Sequence, residues 1–302
     1  MRAWLGEKAA GFWLNALFWH ARHRPAVADK VKAFFLAGAW RCSPVLRRHT
    51  LLNARRLLGE ASTPAQREAL ARRVIGNFFD FICDVGRSAA MTRAELLARI
   101  ERIEGTDRYH DARADSCGVI LVTAHMGSFE VATAALLDRE RRVHVLFRRD
   151  AMDLFDRTRT AMRRRLGVIE APVDEGLSVW VRLREALARD EAVLIQGDRV
   201  MPGQKGKPVP FLGGHVLLPT GPVKLAMASA APILPVFCVR QPDSRLRLFI
   251  EHPIRVAPTD APDDALLRLA TVIERYVRSY PDQWLMTQPA WCEDVNAKPC
   301  VT

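Results

Sequence analysis

The chain has 302 residues, 49% of them hydrophobic, which is the composition of a globular protein with a substantial core and room for one large or two modest domains. Lys and Arg outnumber Asp and Glu by 45 to 34, a formal charge of +11 that points to an acidic partner such as nucleic acid, anionic lipid or an acidic carrier protein, although an Arg-rich surface alone gives the same sum. Six cysteines, at 42, 83, 117, 238, 292 and 300, form no C-x-x-C pair and have no histidines at zinc-ligand spacing, so neither a metal site nor a disulfide framework is expected and a reducing compartment is.

Residues 9–19 are apolar apart from Asn15, rich in aromatics (Phe12, Trp13, Phe18, Trp19), and followed by His20, Arg22, His23 and Arg24. A spanning helix needs about 20 predominantly apolar residues, and Glu7 and Lys8 close this run upstream. The bulky Phe-Trp-His ending also lacks the small-residue cleavage site of a signal peptide. Aromatics beside clustered basic residues suit a helix lying in the interface of an anionic membrane, and residues 31–40 supply a second apolar patch. Packing of both segments onto the body of the protein is the competing reading.

Thr63-Pro64 reads as a helix cap followed by proline at the first helical position, opening a helix over 63–87. Strands are then predicted at 119–123, 143–147, 192–196, 233–239 and 246–250. Helices are predicted at 128–137, 154–166, 177–188, 221–229 and 265–280. This alternation predicts an α/β fold, a mixed and largely parallel sheet flanked by helices. Residues 1–60 form a helical membrane-associating segment and 61–302 the α/β domain, with no internal repeat or long linker.

The run Val119-Ile120-Leu121-Val122-Thr123-Ala124-His125-Met126-Gly127-Ser128-Phe129-Glu130 ends a buried strand in a histidine and places a carboxylate five residues later. Gly127 allows a sharp turn and Ser128 a helix cap, with Glu130 in the first helical turn, near enough to orient the imidazole. In open α/β sheets ligands bind at the carboxyl ends of strands. The spacing itself is weak: His110 and Asp115 share it, but in a polar stretch with no preceding strand. A histidine at a strand end also commonly serves structure alone.

Other strand ends carry chemistry-bearing residues: Arg148-Arg149-Asp150 after 143–147, and Gly197-Asp198-Arg199 after 192–196. A guanidinium can hold a phosphate or carboxylate bidentately, and an adjacent Asp can fix its direction, though each also suits an ordinary surface ion pair. Residues 202–214 read as a glycine-rich, basic loop that is not a phosphate-binding P-loop. Arg157, Arg159, Arg163, Arg164 and Arg165 lie on one predicted helix, where such a run is usually solvated.

With His125-x4-Glu130, Phe147-Arg148, Gly197-Asp198-Arg199, Val209-Pro210-Phe211-Leu212-Gly213, Pro219-Thr220-Gly221-Pro222, residues 231–237 and the closing Tyr280-Pro281-Asp282-Gln283-Trp284, the chain resembles the bacterial lipid A biosynthesis (late, or secondary) acyltransferase family of the lysophospholipid acyltransferase group. The ordered match runs from about residue 47 to 291. The resemblance implies transfer of a fatty acyl chain from acyl carrier protein, or acyl-CoA, to a hydroxyl of a lipid acceptor at the cytoplasmic face of the inner membrane, without metal or redox cofactor. It implies catalytic roles for His125 and Glu130, and substrate binding by Arg148, Asp198, Arg199, Gly127 and Ser128. His125 would act as general base and Glu130 would hold its tautomer, with backbone N–H groups at the helix start or Arg148 facing the thioester oxygen. Arg157, Arg163, Arg164 and Arg165 would dock the acidic carrier protein. The shortened N-terminal apolar helix and the Gly-Asp-Arg strand end depart from the lipid A enzymes, and leave the acceptor open. A thioesterase or lipid hydrolase using the same pair is the alternative; a basic membrane- or nucleic-acid-binding protein is another, but no nucleic-acid recognition motif is present.

Overall fold

The computed structural model describes residues 2–149, 152–201 and 204–295. Four helices come first: α1 (Arg2–His23), α2 (Pro25–Cys42), α3 (Pro44–Leu58) and α4 (Pro64–Ser88). Then follow α5 (Arg93–Ala98), β1 (Ile100–Glu104), α6 (Thr106–Arg113), β2 (Val119–Thr123), α7 (Phe129–Leu137), β3 (Val143–Phe147), α8 (Asp153–Leu166) and β4 (Ile169–Pro172). The remainder is α9 (Leu177–Ala188), β5 (Ala192–Gln196), a hairpin of β6 (Gly206–Phe211) and β7 (Gly214–Pro219), α10 (Gly221–Ser229), β8 (Ile233–Arg240), β9 (Leu246–Ile250) and α11 (Pro262–Ser279).

The seven-stranded sheet has the order β1-β9-β8-β2-β5-β3-β4, parallel throughout except where β8 meets β9. The α/β class and the mixed, largely parallel sheet are those the alternation of apolar runs predicts. All residues of β2 and β3 are buried, as expected of parallel strands covered by helices on both faces. One face packs Val122, Ile195, Leu183, Ala226 and Leu269; the other packs Leu121, Val145, Leu136 and Leu137. Strands β1 and β4, absent from the sequence reading, are short: IERIE is too charged and IEAP too brief to show a period.

The stretch read as a glycine-rich loop is instead largely hairpin. Val209 and Phe211 on β6 face inward with Val216 and Leu218 on β7, a two-residue alternation that the prolines and lysines obscure. Leu212 and Gly213 make the connecting turn, both at positive φ (46° and 75°), the geometry of the tight hairpin turn.

At the N-terminus each apolar patch is part of a longer amphipathic helix. Ala21 of α1 and Ala28 of α2 pack against Phe79 and Cys83 of α4, whereas Phe12, Trp13 and Phe34 are 67%, 70% and 82% exposed. Thr63 and Gln66 form a capping box that starts α4 where Thr63-Pro64 predicts. Among the described residues no helix is long and apolar enough to cross a membrane. Helix α3 is tied to the far end of the domain: Asn53 donates to the carbonyls of Met286 (3.1 Å) and Gln288 (2.7 Å) and accepts from the Ala290 N–H. Cys42, Cys83, Cys117 and Cys238 are free thiols.

Candidate active site

Strand register builds the site. Thr123 of β2 pairs with Gln196 of β5, so the residues two further along each chain, His125 and Asp198, stand side by side at the carboxyl edge of adjacent strands. His125 Nδ1 lies 2.7 Å from Asp198 Oδ1, and the indole Nε1–H of Trp284 donates to Asp198 Oδ2 at 2.8 Å. Both carboxylate oxygens are therefore engaged, and Asp198 is 2% exposed. An ionised Asp198 receiving the Nδ1 proton leaves Nε2 as the basic nitrogen of the ring.

The backbone locks this arrangement. The Leu285 N–H donates to the His125 carbonyl (2.8 Å), the Gly127 N–H to the Gln283 carbonyl (3.3 Å), and Met126 bridges Trp284. Gly127 has φ +55°, and a Cβ there would lie 2.5 Å from the Cys238 carbonyl, so both the turn and the close approach require glycine.

Glu130 does not orient His125. Arg159 Nε and Arg163 donate to Glu130 Oε1 at 2.7 and 2.8 Å, and all three side chains are buried. One turn into α7, Glu130 is turned toward α8, while the strand neighbour Asp198 reaches the imidazole first. The His-x4-Glu motif thus fixes a helix-to-helix ion pair, and the carboxylate bonded to the imidazole comes from the residues that follow β5. On the helix expected to dock a carrier, Arg163 is buried in this pair, while the exposed Arg165 donates to the carbonyls of Ser88, Ala89 and Met91. Arg157 pairs with Asp153 on the surface, and Arg164 is exposed.

Burial lowers the His125 pKa below the ordinary histidine value, and the nearby Arg199 guanidinium adds to this; the attraction of Asp198 opposes both and does not prevail. The imidazole is therefore neutral at neutral pH. Burial alone would raise the Asp198 carboxyl, but His125, Arg199 and the Trp284 N–H together hold it well below the usual carboxylate range. Glu130, opposed by burial in the same way, is brought down to about 2 by Arg159 and Arg163.

His125 opens into a cleft of about 160 Å³. Phe78 and Phe81 of α4, Phe129 of α7 and Phe155 of α8 form an aromatic side, and Arg148 and Arg199 line the cleft as the strand-end reading predicts. Phe129 stands edge-on to the His125 ring, with centroids 5.5 Å apart. It also lines a small apolar cavity of about 70 Å³ between α7 and the sheet. Gly127 and Ser128 do not line the cleft: the Gly127 N–H is consumed by Gln283, and Ser128 is fully buried with a hydroxyl that caps no helix N–H. Their expected substrate-binding role is replaced by one in the turn. Trp284 and the aromatic side were missed as site residues; the only signal for Trp284 was its place in Tyr280-Pro281-Asp282-Gln283-Trp284. His110 is exposed on α6. Among the described residues no three His, Cys, Asp or Glu side chains converge as metal ligands.

The chain is 25% identical over 215 residues to the phosphatidylinositol mannoside acyltransferase of Mycobacterium tuberculosis strain CDC 1551, covering 70% of this chain and 67% of that protein. It is 24% identical over 229 residues to the phosphatidylinositol mannoside acyltransferase of Mycolicibacterium smegmatis, covering 75% of this chain and 74% of that one. The family described as "Bacterial lipid A biosynthesis acyltransferase" matches residues 5–293. Nearly the whole chain, with its paired His125 and Asp198 inside the match, thus belongs to the bacterial lipid A biosynthesis acyltransferase family, and the protein is an acyltransferase.

Proposed function

We propose that the protein transfers a fatty acyl chain from a thioester donor, acyl carrier protein or acyl-CoA, to a hydroxyl of a membrane glycolipid. The observation that carries this reading is the buried His125–Asp198 pair at the edge of an aromatic cleft. Nε2 of neutral His125 takes the proton of the acceptor hydroxyl as its oxygen attacks the thioester carbonyl. Asp198 holds the Nδ1–H tautomer and stabilises the imidazolium that forms. When the tetrahedral intermediate collapses, the C–S bond breaks, and the same proton passes to the departing thiolate. No acyl-enzyme is required.

The aromatic side of the cleft, Phe78, Phe81, Phe129 and Phe155, supports a hydrocarbon substrate. The mycobacterial relatives named for phosphatidylinositol mannoside favour a glycolipid acceptor, with a lipid A precursor as the member of that class closest to the family description. Exposed Phe12, Trp13 and Phe34 beside Arg22 and Arg24 support peripheral or monotopic attachment to an anionic membrane, which we place at the cytoplasmic face of the inner membrane. Arg157 and Arg164 remain available to an acidic carrier.

The test is lipid mass spectrometry on cells expressing the wild type, His125→Ala or His110→Ala. A lipid that gains one acyl chain with the wild type and His110→Ala, but not with His125→Ala, identifies the acceptor. Release of free fatty acid with no acylated lipid would replace the transferase with a hydrolase.

A further inference from the structure

The His-x4-Glu motif draws the eye to Glu130, but the contacts at His125 lead through Asp198 to residues 283–285. Three bonds from this short segment meet the catalytic edge: the Trp284 indole on Asp198 Oδ2 (2.8 Å), the Leu285 N–H on the His125 carbonyl (2.8 Å), and the Gln283 carbonyl under the Gly127 N–H (3.3 Å). The segment is itself held in place. The Gln283 side chain accepts from the Arg240 N–H (2.8 Å) and donates to its carbonyl (2.6 Å), while the Arg240 guanidinium is paired with buried Asp84 of α4. The Trp284 ring is 2% exposed and packs against Phe211 of the hairpin and Trp291.

We infer that Trp284 is a positioning residue for the acyl transfer, acting through Asp198 as the third member of a His125–Asp198–Trp284 array. A carboxylate bonded only to the imidazole could rotate about its χ2 or take its second bond from water. With Oδ2 fixed by a rigid, buried indole, Oδ1 is aimed at Nδ1 and nowhere else. An indole suits the position because it is a donor only: it cannot accept the imidazole proton or titrate in competition with His125. The inference rests on the general-base reading of His125.

The charged groups facing His125 are Asp198 and Arg199 from β5 and Arg159 from α8, with Arg148 from β3 across the cleft. Loss of the Trp284 donor leaves Asp198 more basic, so it pulls harder on the imidazole proton. The His125 pKa then rises, and the acidic limb of the pH–rate profile moves to higher pH.

The experiment replaces Trp284 with 3-benzothienylalanine, an isostere that keeps the fused ring and removes the N–H, beside Trp284→Phe. Acyl transfer is measured across pH with an acyl-CoA donor and glycolipid vesicles, and the His125 imidazole is titrated by NMR. The expected result is a roughly 10- to 100-fold lower kcat with both KM values unchanged, an upward-shifted acidic limb, and an unchanged circular dichroism spectrum in the isostere. Wild-type kcat and wild-type His125 titration in the isostere would overturn the inference, as would a lower melting temperature with neither parameter altered. If His125→Ala retained full transfer while the isostere still shifted the imidazole titration, the general-base reading would fail and the bonding array would stand.

Discussion

At the scale of single residues, the proposed mechanism divides the work between His125 as proton acceptor and Asp198 as the group that fixes its tautomer. Replacement of His125 by Ala should lower kcat by on the order of 10²–10⁴ with little change in donor KM. Asp198→Asn should fall in the same range, because an amide accepts the Nδ1 proton less well and offers the imidazolium no charge. Steady-state kinetics on purified variants checks both; an Asp198→Asn enzyme at wild-type rate would remove Asp198 from the mechanism. Since His125 titrates below the ordinary histidine value, kcat/KM should rise through a pKa below about 6.5 and be flat at neutral pH. A limb centred above that value would contradict the burial argument. Glu130, by contrast, is predicted to matter for stability first. Glu130→Ala removes the carboxylate shared by two buried guanidinium groups, of which Arg163 keeps Glu170 at 3.5 Å, and should destabilise the fold by about 1–3 kcal/mol in urea unfolding.

At the scale of elements, the Glu130 pair joins the first turn of α7 to α8, and its pH dependence follows from the carboxyl at about 2 against 4.5 in the unfolded chain. A carboxyl that titrates lower when folded stabilises the protein at neutral pH. That contribution, roughly 3 kcal/mol, shrinks below about pH 4.5 and is gone near pH 2. The acid-unfolding curve of Glu130→Gln should therefore be flatter than that of the wild type between those limits. The sequence made β2, β3, β5 and β9 legible to their end residues, because continuous apolar runs bounded by turn signals mark strands buried on both faces. It made His125, Arg148 and Asp198 legible as strand-end residues for the same reason. What it hid was adjacency: nothing in the order of residues says that β2 and β5 are neighbours, so the nearby carboxylate Glu130 stood in for the distant Asp198. The hairpin was concealed by the lysines, prolines and glycines between its inward residues. The buried fate of Arg159 and Arg163 was concealed by Arg157, Arg164 and Arg165 on the same helix, which do reach solvent.

At the scale of the whole molecule, the proposed membrane attachment requires the surplus of positive charge and the exposed aromatics of α1 and α2 to act together. Trp13→Ser and Phe34→Ser should each weaken sedimentation with anionic vesicles by roughly tenfold, and added salt should weaken wild-type binding further. Equal partition of wild type and variants would leave the aromatic face without a membrane role.

The three-residue bond pattern of 283–285 also has a consequence in time. Asp198 is translated 86 residues before the indole that holds its second oxygen, an interval of several seconds at about 5–20 residues per second. Until then the growing polypeptide carries the carboxylate without the indole that holds its second oxygen. Ribosome-bound chains arrested before residue 283 should be inactive, and release of the full chain should bring activity on in a single step. The protein would then meet the lipid before it is able to modify it.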